Sequence, residues 1–147
     1  MAVTMKSDYA LRLLLLLSIE GKRLSTTELV NKCKTQIPYE FAQKILSQLV
    51  TAGILESYRG KFGGYKLSKD PKDITIYDVV SSVDDMSTTI TCFVEPSKIE
   101  FPEICSINEI WEIVMNRFKE SLKSVTLEDL KNSYLKKIEE YERRKKK

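Results

Sequence analysis

Residues 37–67 read IPYEFAQKILSQLVTAGILESYRGKFGGYKL, and this stretch decides the fold. Pro38 suits a first helical position, because its missing N–H would have no partner there, and Gly53 is the residue type that ends helices in the left-handed conformation. Apolar residues one or two turns apart predict a buried face formed by Phe41, Ile45, Leu49 and Val50. The opposite face is polar and is predicted to be free to contact a partner: Tyr39, Glu40, Gln43, Lys44, Ser47 and Gln48.

Two short strands are predicted directly after this helix. Residues 54–58 and 65–67 alternate apolar and polar side chains, as half-buried strands do, and residues 59–64 form a glycine-rich turn between them. A turn with few side chains, flanked by Arg59, Lys61 and Lys66, suits close approach to a phosphate backbone or a narrow groove. A helix followed by a basic hairpin predicts a mainly α-helical fold with a small β-hairpin, the winged helix-turn-helix.

Length and composition fit one ordinary domain with an appendage. With 147 residues, 42% of them hydrophobic, the chain is able to bury a real core. The longest apolar run, residues 13–17, is far too short to span a bilayer. It lacks a small-residue cleavage site, so it is not a convincing signal peptide. We therefore expect a cytoplasmic protein.

Charge is distributed unevenly along the chain. Lys and Arg against Asp and Glu number 12 against 7 in residues 1–75, 5 against 11 in residues 76–135, and 7 against 3 in residues 136–147. A basic first half followed by an acidic middle is typical of a DNA-binding unit joined to a unit that does not bind DNA. A solvated surface can give the same counts by chance.

The chain has three cysteines and no histidine. This composition excludes Ser-His-Asp and Cys-His catalysis within the chain, and zinc sites that use imidazole. An odd number of cysteines argues against a structural disulfide framework. No phosphate-binding glycine loop precedes a helix, and no carboxylates pair in an evident pocket, so an enzyme is the weakest class. An interaction module without DNA binding remains the competing class.

Capping residues predict where the other helices begin. Ser7 is placed to cap a first helix through Glu20, with Asp8 in its first turn. Four later helices are predicted to begin after Ser25, Thr75, Ser106 and Thr126, with capping boxes at residues 25–28 and 106–109. We predict a winged helix-turn-helix domain over residues 1–83, an irregular sensor segment over residues 84–105, and a dimerisation helix with a C-terminal helix over residues 106–147.

The helix after Ser106 is predicted to carry a wide apolar stripe. We expect this stripe to pack against the same helix of a second subunit, which would match the symmetry of palindromic DNA sites. Packing within the subunit is the alternative. The basic end, residues 143–147, is expected to be a frayed, solvated terminus rather than a DNA-binding arm. The stripe consists of Ile107, Ile110, Trp111, Val114, Met115, Phe118, Leu122 and Val125.

Several stretches closely resemble the Rrf2 family of bacterial transcription regulators. They are SDYALR at residues 7–12, Ile37-Pro38 with its helix, RGKFGGYKL at 59–67, DPKDITIYDV at 70–79 and TLEDL at 126–130. The resemblance implies a homodimer of winged helix-turn-helix subunits that binds double-stranded DNA at a palindromic operator. It also implies that the helix from Pro38 enters the major groove and that Arg59 and Gly60 in the wing reach the minor groove.

Side-chain chemistry on the same surface agrees with that reading. Gln43 can pair with adenine through two hydrogen bonds, and Glu40, next to Tyr39, can accept a hydrogen bond from cytosine. Each of these residues also has an ordinary reading as a solvated surface residue. Three lysines are suited to contact phosphates: Lys44, Lys61 and Lys66.

The sensor is predicted from the cysteines. The family includes IscR, NsrR, RsrR and CymR, and many members hold an iron-sulfur cluster on three cysteines before the long helix. This chain has only Cys92 and Cys105 there, which cannot complete a cluster alone. The resemblance to RsrR implies a [2Fe-2S] cluster completed across the dimer by Cys33 and Asp8, with Cys33 standing where RsrR has a histidine. Such a cluster would sense redox state, nitric oxide or iron-sulfur status.

Two alternatives to the cluster stay open. Thiol oxidation at Cys92 or Cys105 could control the regulator without metal. A CymR-like regulator, by contrast, has no cluster and is controlled by a protein partner. In either case Cys33 is a small hydrophobic residue beneath the helix-turn-helix.

Overall fold

The computed structural model describes residues 3–86 and 106–147. The helices are α1 (Met5–Glu20), α2 (Thr26–Lys32), α3 (Tyr39–Thr51), α4 (Ile76–Val83), α5 (Ser106–Lys123) and α6 (Leu127–Lys145). Strands β1 (Leu55–Tyr58) and β2 (Gly64–Leu67) form an antiparallel hairpin, and a short 3-10 helix covers Pro71–Asp73. None of the helices in the described ranges has the length and hydrophobicity to cross a membrane. The predicted mainly α-helical fold with a hairpin wing is confirmed.

Helix α1 lies at the centre of the molecule. Its residues Ala10, Leu13, Leu14 and Leu17 are buried, and the helix packs against α2, α3, α4, α6 and strand β2. The Tyr9 ring meets a ring on α3 edge to face, with centroids 5.7 Å apart. The apolar run in the sequence is therefore a core helix, because one of its faces touches nearly every other element.

Helix α1 begins earlier than predicted. Thr4 is its N-cap, and the Thr4 hydroxyl accepts a hydrogen bond from the Lys6 N–H at 3.1 Å. Ser7 is buried inside the first turns, and its hydroxyl donates instead to the carboxylate of Asp84. The prediction that Ser7 caps this helix is wrong, because its hydroxyl is hydrogen-bonded to a residue 77 positions away in the chain.

The carboxylate of Asp84 joins the end of α4 to the start of α1. Asp84 is buried and accepts hydrogen bonds from the Thr4 N–H at 3.0 Å and from the hydroxyls of Thr4 and Ser7. Burial disfavours its charged form, but these donors outweigh burial and hold the pKa of Asp84 below its ordinary value. The ionised carboxylate thus anchors the end of α4 to the start of α1.

Helices α2 and α3 follow the sequence signals closely. In the predicted capping box, the Ser25 N–H donates to Glu28 at 2.7 Å and the Glu28 N–H donates to the Ser25 hydroxyl at 3.2 Å. The backbone bond from Ser25 also lowers the pKa of Glu28. Pro38 is the N-cap of α3 rather than its first helical residue, since its ψ of 135° is not helical. Gly53 has φ of 77°, as predicted for a helix end.

The buried face of α3 is broader than predicted. Ile45 and Leu49 are buried as expected, and Ala42 and Leu46 are buried beside them. Phe41 and Val50 are half-buried against the same core. The predicted polar face is confirmed as exposed except for Gln48, which is half-buried: Tyr39, Glu40, Gln43, Lys44 and Ser47.

The start of α6 belongs to the same core as α1. Leu127 is fully buried and Leu130 packs against the core. The Ile76 N–H donates to the Val125 carbonyl and the Leu127 N–H donates to the Ile74 carbonyl, both at 2.8 Å. The predicted cap at Thr126 is confirmed as a capping box with Asp129, as is the cap of α4 at Thr75 with Asp78.

Two expectations for the C-terminal half are wrong. Ser106 is already helical, so it is the first residue of α5 and not its cap. The basic end is solvated, as expected, since residues 141–147 are exposed, but it does not fray at Arg143, because α6 continues to Lys145 and Arg143 pairs with Glu139 at 3.2 Å. Most of the predicted irregular segment, including Cys92 and Cys105, lies outside the described residues.

Candidate nucleic-acid interface

The hairpin wing is fastened to the turn before α2. The Leu24 N–H donates to the Tyr65 carbonyl at 3.1 Å, and the Tyr65 N–H donates to the Leu24 carbonyl at 2.8 Å. Leu24 therefore acts as a one-residue third strand beside β2. Because Leu24 itself is buried, the wing cannot move without disturbing the core.

Two glycines of the wing are needed for backbone packing. A Cβ on Gly64, where φ is 136°, would lie 2.6 Å from the Leu24 carbonyl oxygen and 2.9 Å from the Ser25 nitrogen. A Cβ on Gly63 would lie 2.3 Å from the Tyr58 carbonyl oxygen. The sequence had suggested only that these glycines clear the way for a ligand. Their positions also allow the wing to close on itself and on the α2 turn.

The wing, the start of α2 and the start of α3 enclose an open groove of about 400 Å³. Of the predicted DNA-contacting residues, Tyr39, Arg59, Gly60 and Lys61 line it together. Sequence reasoning missed the wall formed by the first residues of α2, although the capping box marked that helix start. These residues contribute small side chains with hydroxyl groups: Ser25, Thr26 and Thr27.

The remaining predicted contact residues lie on surfaces next to this groove. Three of them are exposed on α3: Glu40, Gln43 and Lys44. Lys66 is exposed on β2, where it lies opposite Glu56 in the register of the hairpin. The Gln43 amide nitrogen donates to the Tyr39 hydroxyl at 3.3 Å. This contact restricts the position of the Gln43 side chain along the helix.

A further cation lies beside the wing. The Arg23 guanidinium carbon is 3.5 Å from the centre of the Tyr58 ring, an arrangement that holds both groups through cation–π attraction. The Tyr58 hydroxyl donates to the Glu56 carboxylate at 2.6 Å, and this bond raises the pKa of Tyr58. Arg23 was not among the predicted contacts, because its place beside the wing depends on the Leu24 pairing.

The structure describes two of the four predicted cluster ligands. Asp8 is exposed and accepts a hydrogen bond from the Arg12 Nε at 2.8 Å. Cys33 follows α2 as its C-cap, is half-buried, and lines a cavity of about 210 Å³ that Arg12 and Tyr134 also line. In residues 3–86 and 106–147, no three Cys, Asp or Glu side chains gather to hold a metal ion. Cys92 and Cys105 are outside those ranges.

Comparison with known proteins identifies the family. A family model described as Rrf2, an iron-dependent transcriptional regulator, matches residues 3–133. The chain belongs to the Rrf2 family.

Named relatives of this Rrf2 chain agree with that assignment. The protein aau3 of Rhizobium meliloti is 32% identical over 132 residues, which cover 88% of this chain and 84% of that protein. The transcriptional regulator NsrR of Shouchella clausii is 30% identical over 132 residues, covering 88% of each chain. The solved structure of CymR from B. subtilis has the same fold, with a TM-score of 0.72 at 24% identity, covering 90% of this chain and 98% of that one. This Rrf2 chain is a helix-turn-helix transcriptional regulator.

Substitution of Gly64 tests the attachment of the wing. Gly64→Ala forces a methyl group against the Leu24 backbone, and we expect it to lower the free energy of unfolding by about 3 kcal/mol. Urea denaturation followed by circular dichroism measures this loss.

The matched control is Gly21, which also has positive φ, 63°, but has no atom within 4 Å of an added Cβ. We expect Gly21→Ala to lower the free energy of unfolding by only about 1 kcal/mol, because it adds backbone strain without a steric clash. Equal losses for the two variants would contradict the close approach of the wing to Leu24.

Proposed function

We propose that this Rrf2 regulator binds a palindromic operator as a homodimer, with α3 in the major groove and the wing in the minor groove. The observation that carries the proposal is the shared groove, in which Tyr39 of α3 and Arg59 to Lys61 of the wing lie together. Two reading elements fixed in one orientation suit adjacent grooves of a single duplex.

The exposed face of α3 supplies groups for base contacts. A Gln amide can donate to and accept from adenine, and a Glu carboxylate can accept from cytosine, which are the chemistries of Gln43 and Glu40. Both side chains are exposed and lie one turn apart on α3. The Tyr39 hydroxyl bonded to Gln43 would help to orient its amide before binding. Lys44 on the same face suits a phosphate.

The wing supplies charge with little bulk. Arg59 and Lys61 are exposed on either side of Gly60, whose φ is 96° and which has open space where a Cβ would be. A cation beside such a thin stretch of backbone can enter the narrow minor groove, where the potential is most negative in A-tracts. Lys66 lies farther along the wing and suits the adjoining phosphates.

The proposed dimer interface is the apolar face of α5. The helix has 18 residues, and none of them is buried in a single copy. Ile107 is 64% exposed and Ile110 is 58% exposed, and Trp111, one turn after Ile107, is 38% exposed. An apolar face about 27 Å long is costly in water. Pairing with the same face of a second copy would bury it and give the two-fold symmetry that a palindromic site needs.

For the sensor, we propose a [2Fe-2S] cluster held by Cys92 and Cys105 of one subunit and Cys33 and Asp8 of the other. The three thiolates are the soft ligands that iron-sulfur clusters require, and the Asp8 carboxylate would occupy the fourth position. The described pair supports it in part: Asp8 and Cys33 are both accessible, and Arg12 contacts one while lining the cavity of the other. The bond between Asp8 and Arg12 is solvent-exposed, so releasing the carboxylate would cost little. The cluster would supply a redox-active centre.

Removal of Arg59 tests operator binding. Using duplexes selected from a random-sequence library by the intact protein, we expect Arg59→Ala to weaken specific binding by about 1–3 kcal/mol in a fluorescence anisotropy titration. Arg143→Ala removes the same charge from the end of α6 and is expected to leave the affinity unchanged. Failure of the intact protein to enrich any duplex would contradict operator binding. Equal affinities of the intact protein and Arg59→Ala would show only that Arg59 is not part of the interface.

A charge on the α5 face tests the dimer. We expect the native protein to sediment as a dimer at micromolar concentration, and Ile110→Lys to sediment as a monomer, because a buried unpaired charge opposes association. Glu112→Lys places the same charge on α5 at a position that is already polar, and should stay dimeric. A native protein that sediments as a monomer would contradict the proposed dimer.

Anaerobic purification tests the sensor. We expect a coloured protein with iron and acid-labile sulfide, whose colour is lost in Cys92→Ser and whose absorbance bands shift in Asp8→Ala. A colourless, iron-free protein that resists reconstitution would overturn the cluster. In that case peroxide treatment separates the alternatives, because a thiol sensor changes its DNA affinity on oxidation only while Cys92 or Cys105 is present, and a partner-controlled regulator does not respond.

A further inference from the structure

Phe62 is the most exposed large hydrophobic side chain of the described residues. It is 82% exposed and takes no part in the core. A phenyl ring at this exposure contributes little to folding and leaves apolar surface in water. Its place at the tip of the wing makes it available for an external contact.

The backbone presents Phe62 at the corner of a tight turn. The Gly63 N–H donates to the Gly60 carbonyl at 3.0 Å, which closes a four-residue turn with Lys61 and Phe62 in the two central positions. Gly63 is pressed against the Tyr58 carbonyl, where not even a methyl group fits. The ring thus projects from a tip that is held in place on both sides, with glycines rather than bulky neighbours around the turn.

The surroundings of Phe62 carry more positive than negative charge. The Lys61 Nζ lies 5.8 Å from the centre of the Phe62 ring. The same surface depression is lined by three cations and one carboxylate: Lys22, Arg23, Lys61 and Glu28. An apolar ring beside this net positive charge complements a polyanion that also offers flat aromatic surfaces. Duplex DNA has both properties, with phosphates on the outside and base pairs that can be partly separated.

We propose that Phe62 inserts from the minor groove between two neighbouring base pairs of the operator and bends the duplex. This rests on the proposed function, since it needs the wing to lie in the minor groove. Phenylalanine is one of the side chains that proteins use as such a wedge. Partial unstacking is easiest at pyrimidine–purine steps, so Phe62 would favour operators with such a step beneath each wing, without any hydrogen bond to a base.

The experiment uses the intact protein and a duplex that it selects from a random-sequence library. The duplex carries end labels for energy transfer and 2-aminopurine placed at each step in turn. We expect native protein to bring the ends closer and to raise 2-aminopurine fluorescence at one step per half-site. Phe62→Ala should lose both signals and bind about tenfold more weakly, whereas Phe62→Leu, which keeps an apolar wedge, should retain part of the bend.

Salt dependence separates the ring from its cationic neighbour. The loss in Phe62→Ala should leave the slope of log affinity against log salt unchanged, because no phosphate contact is removed. Lys61→Ala should keep the 2-aminopurine signal and reduce that slope by about one. Since both side chains are exposed, both variants should keep the native circular dichroism spectrum.

The outcomes are distinguishable. Specific binding without a fluorescence change at any step, or with an equal bend in Phe62→Ala, would overturn insertion and leave operator binding intact. A Phe62→Ala variant that matches native protein in every DNA measurement would make Phe62 a contact for some other macromolecule, which also overturns the proposal. If no duplex is enriched, the proposed function falls and the insertion of Phe62 falls with it.

Discussion

Burial of one face of α1 is the constraint on which the rest of the structure depends. Leu13, Leu14 and Leu17 are almost completely inaccessible, and each such side chain contributes about 1.5–3 kcal/mol when it is removed from water. Because α3 and β2 both pack against this helix, burial of α1 also sets the angle between the two elements that face the groove. Packing and the geometry of recognition therefore have the same origin.

The wing has a second attachment, and it is made by the backbone. The paired N–H and carbonyl groups of Leu24 and Tyr65 hold β2 against the turn before α2 at distances of 3.1 and 2.8 Å. Only glycine at position 64 permits this approach. In the proposed complex with DNA, α3 and the wing would lose more conformational entropy if they moved independently, so their fixed arrangement would favour tighter binding.

Local signals in the sequence were reliable guides to this fold. The caps at Ser25, Thr75 and Thr126 were predicted because each depends only on residues close together in the chain, and the structure has all three as capping boxes. The capping box predicted at Ser106 is wrong, because Ser106 is itself helical. The polar face of α3 and the hairpin were also predicted, because apolar residues recur at a different spacing in a helix than in a strand.

Contacts between distant residues account for what the sequence did not reveal. Ser7 looked like a cap, but its hydroxyl serves Asp84, and nothing in the neighbouring residues signals that pairing. Leu24 is a strand of a single residue, which is too short to produce a period, so the attachment of the wing and the place of Arg23 were missed.

The backbone hydrogen bonds between the starts of α4 and α6 have a consequence for synthesis on the ribosome. Leu127 fills the core beside α1, and the backbone around Val125 pairs with residues 74 and 76. The nascent N-terminal half is therefore left with an open hydrophobic gap until Leu127 and its neighbours have left the ribosome exit tunnel. Until then the growing chain exposes apolar surface, which is the kind of surface that chaperones bind.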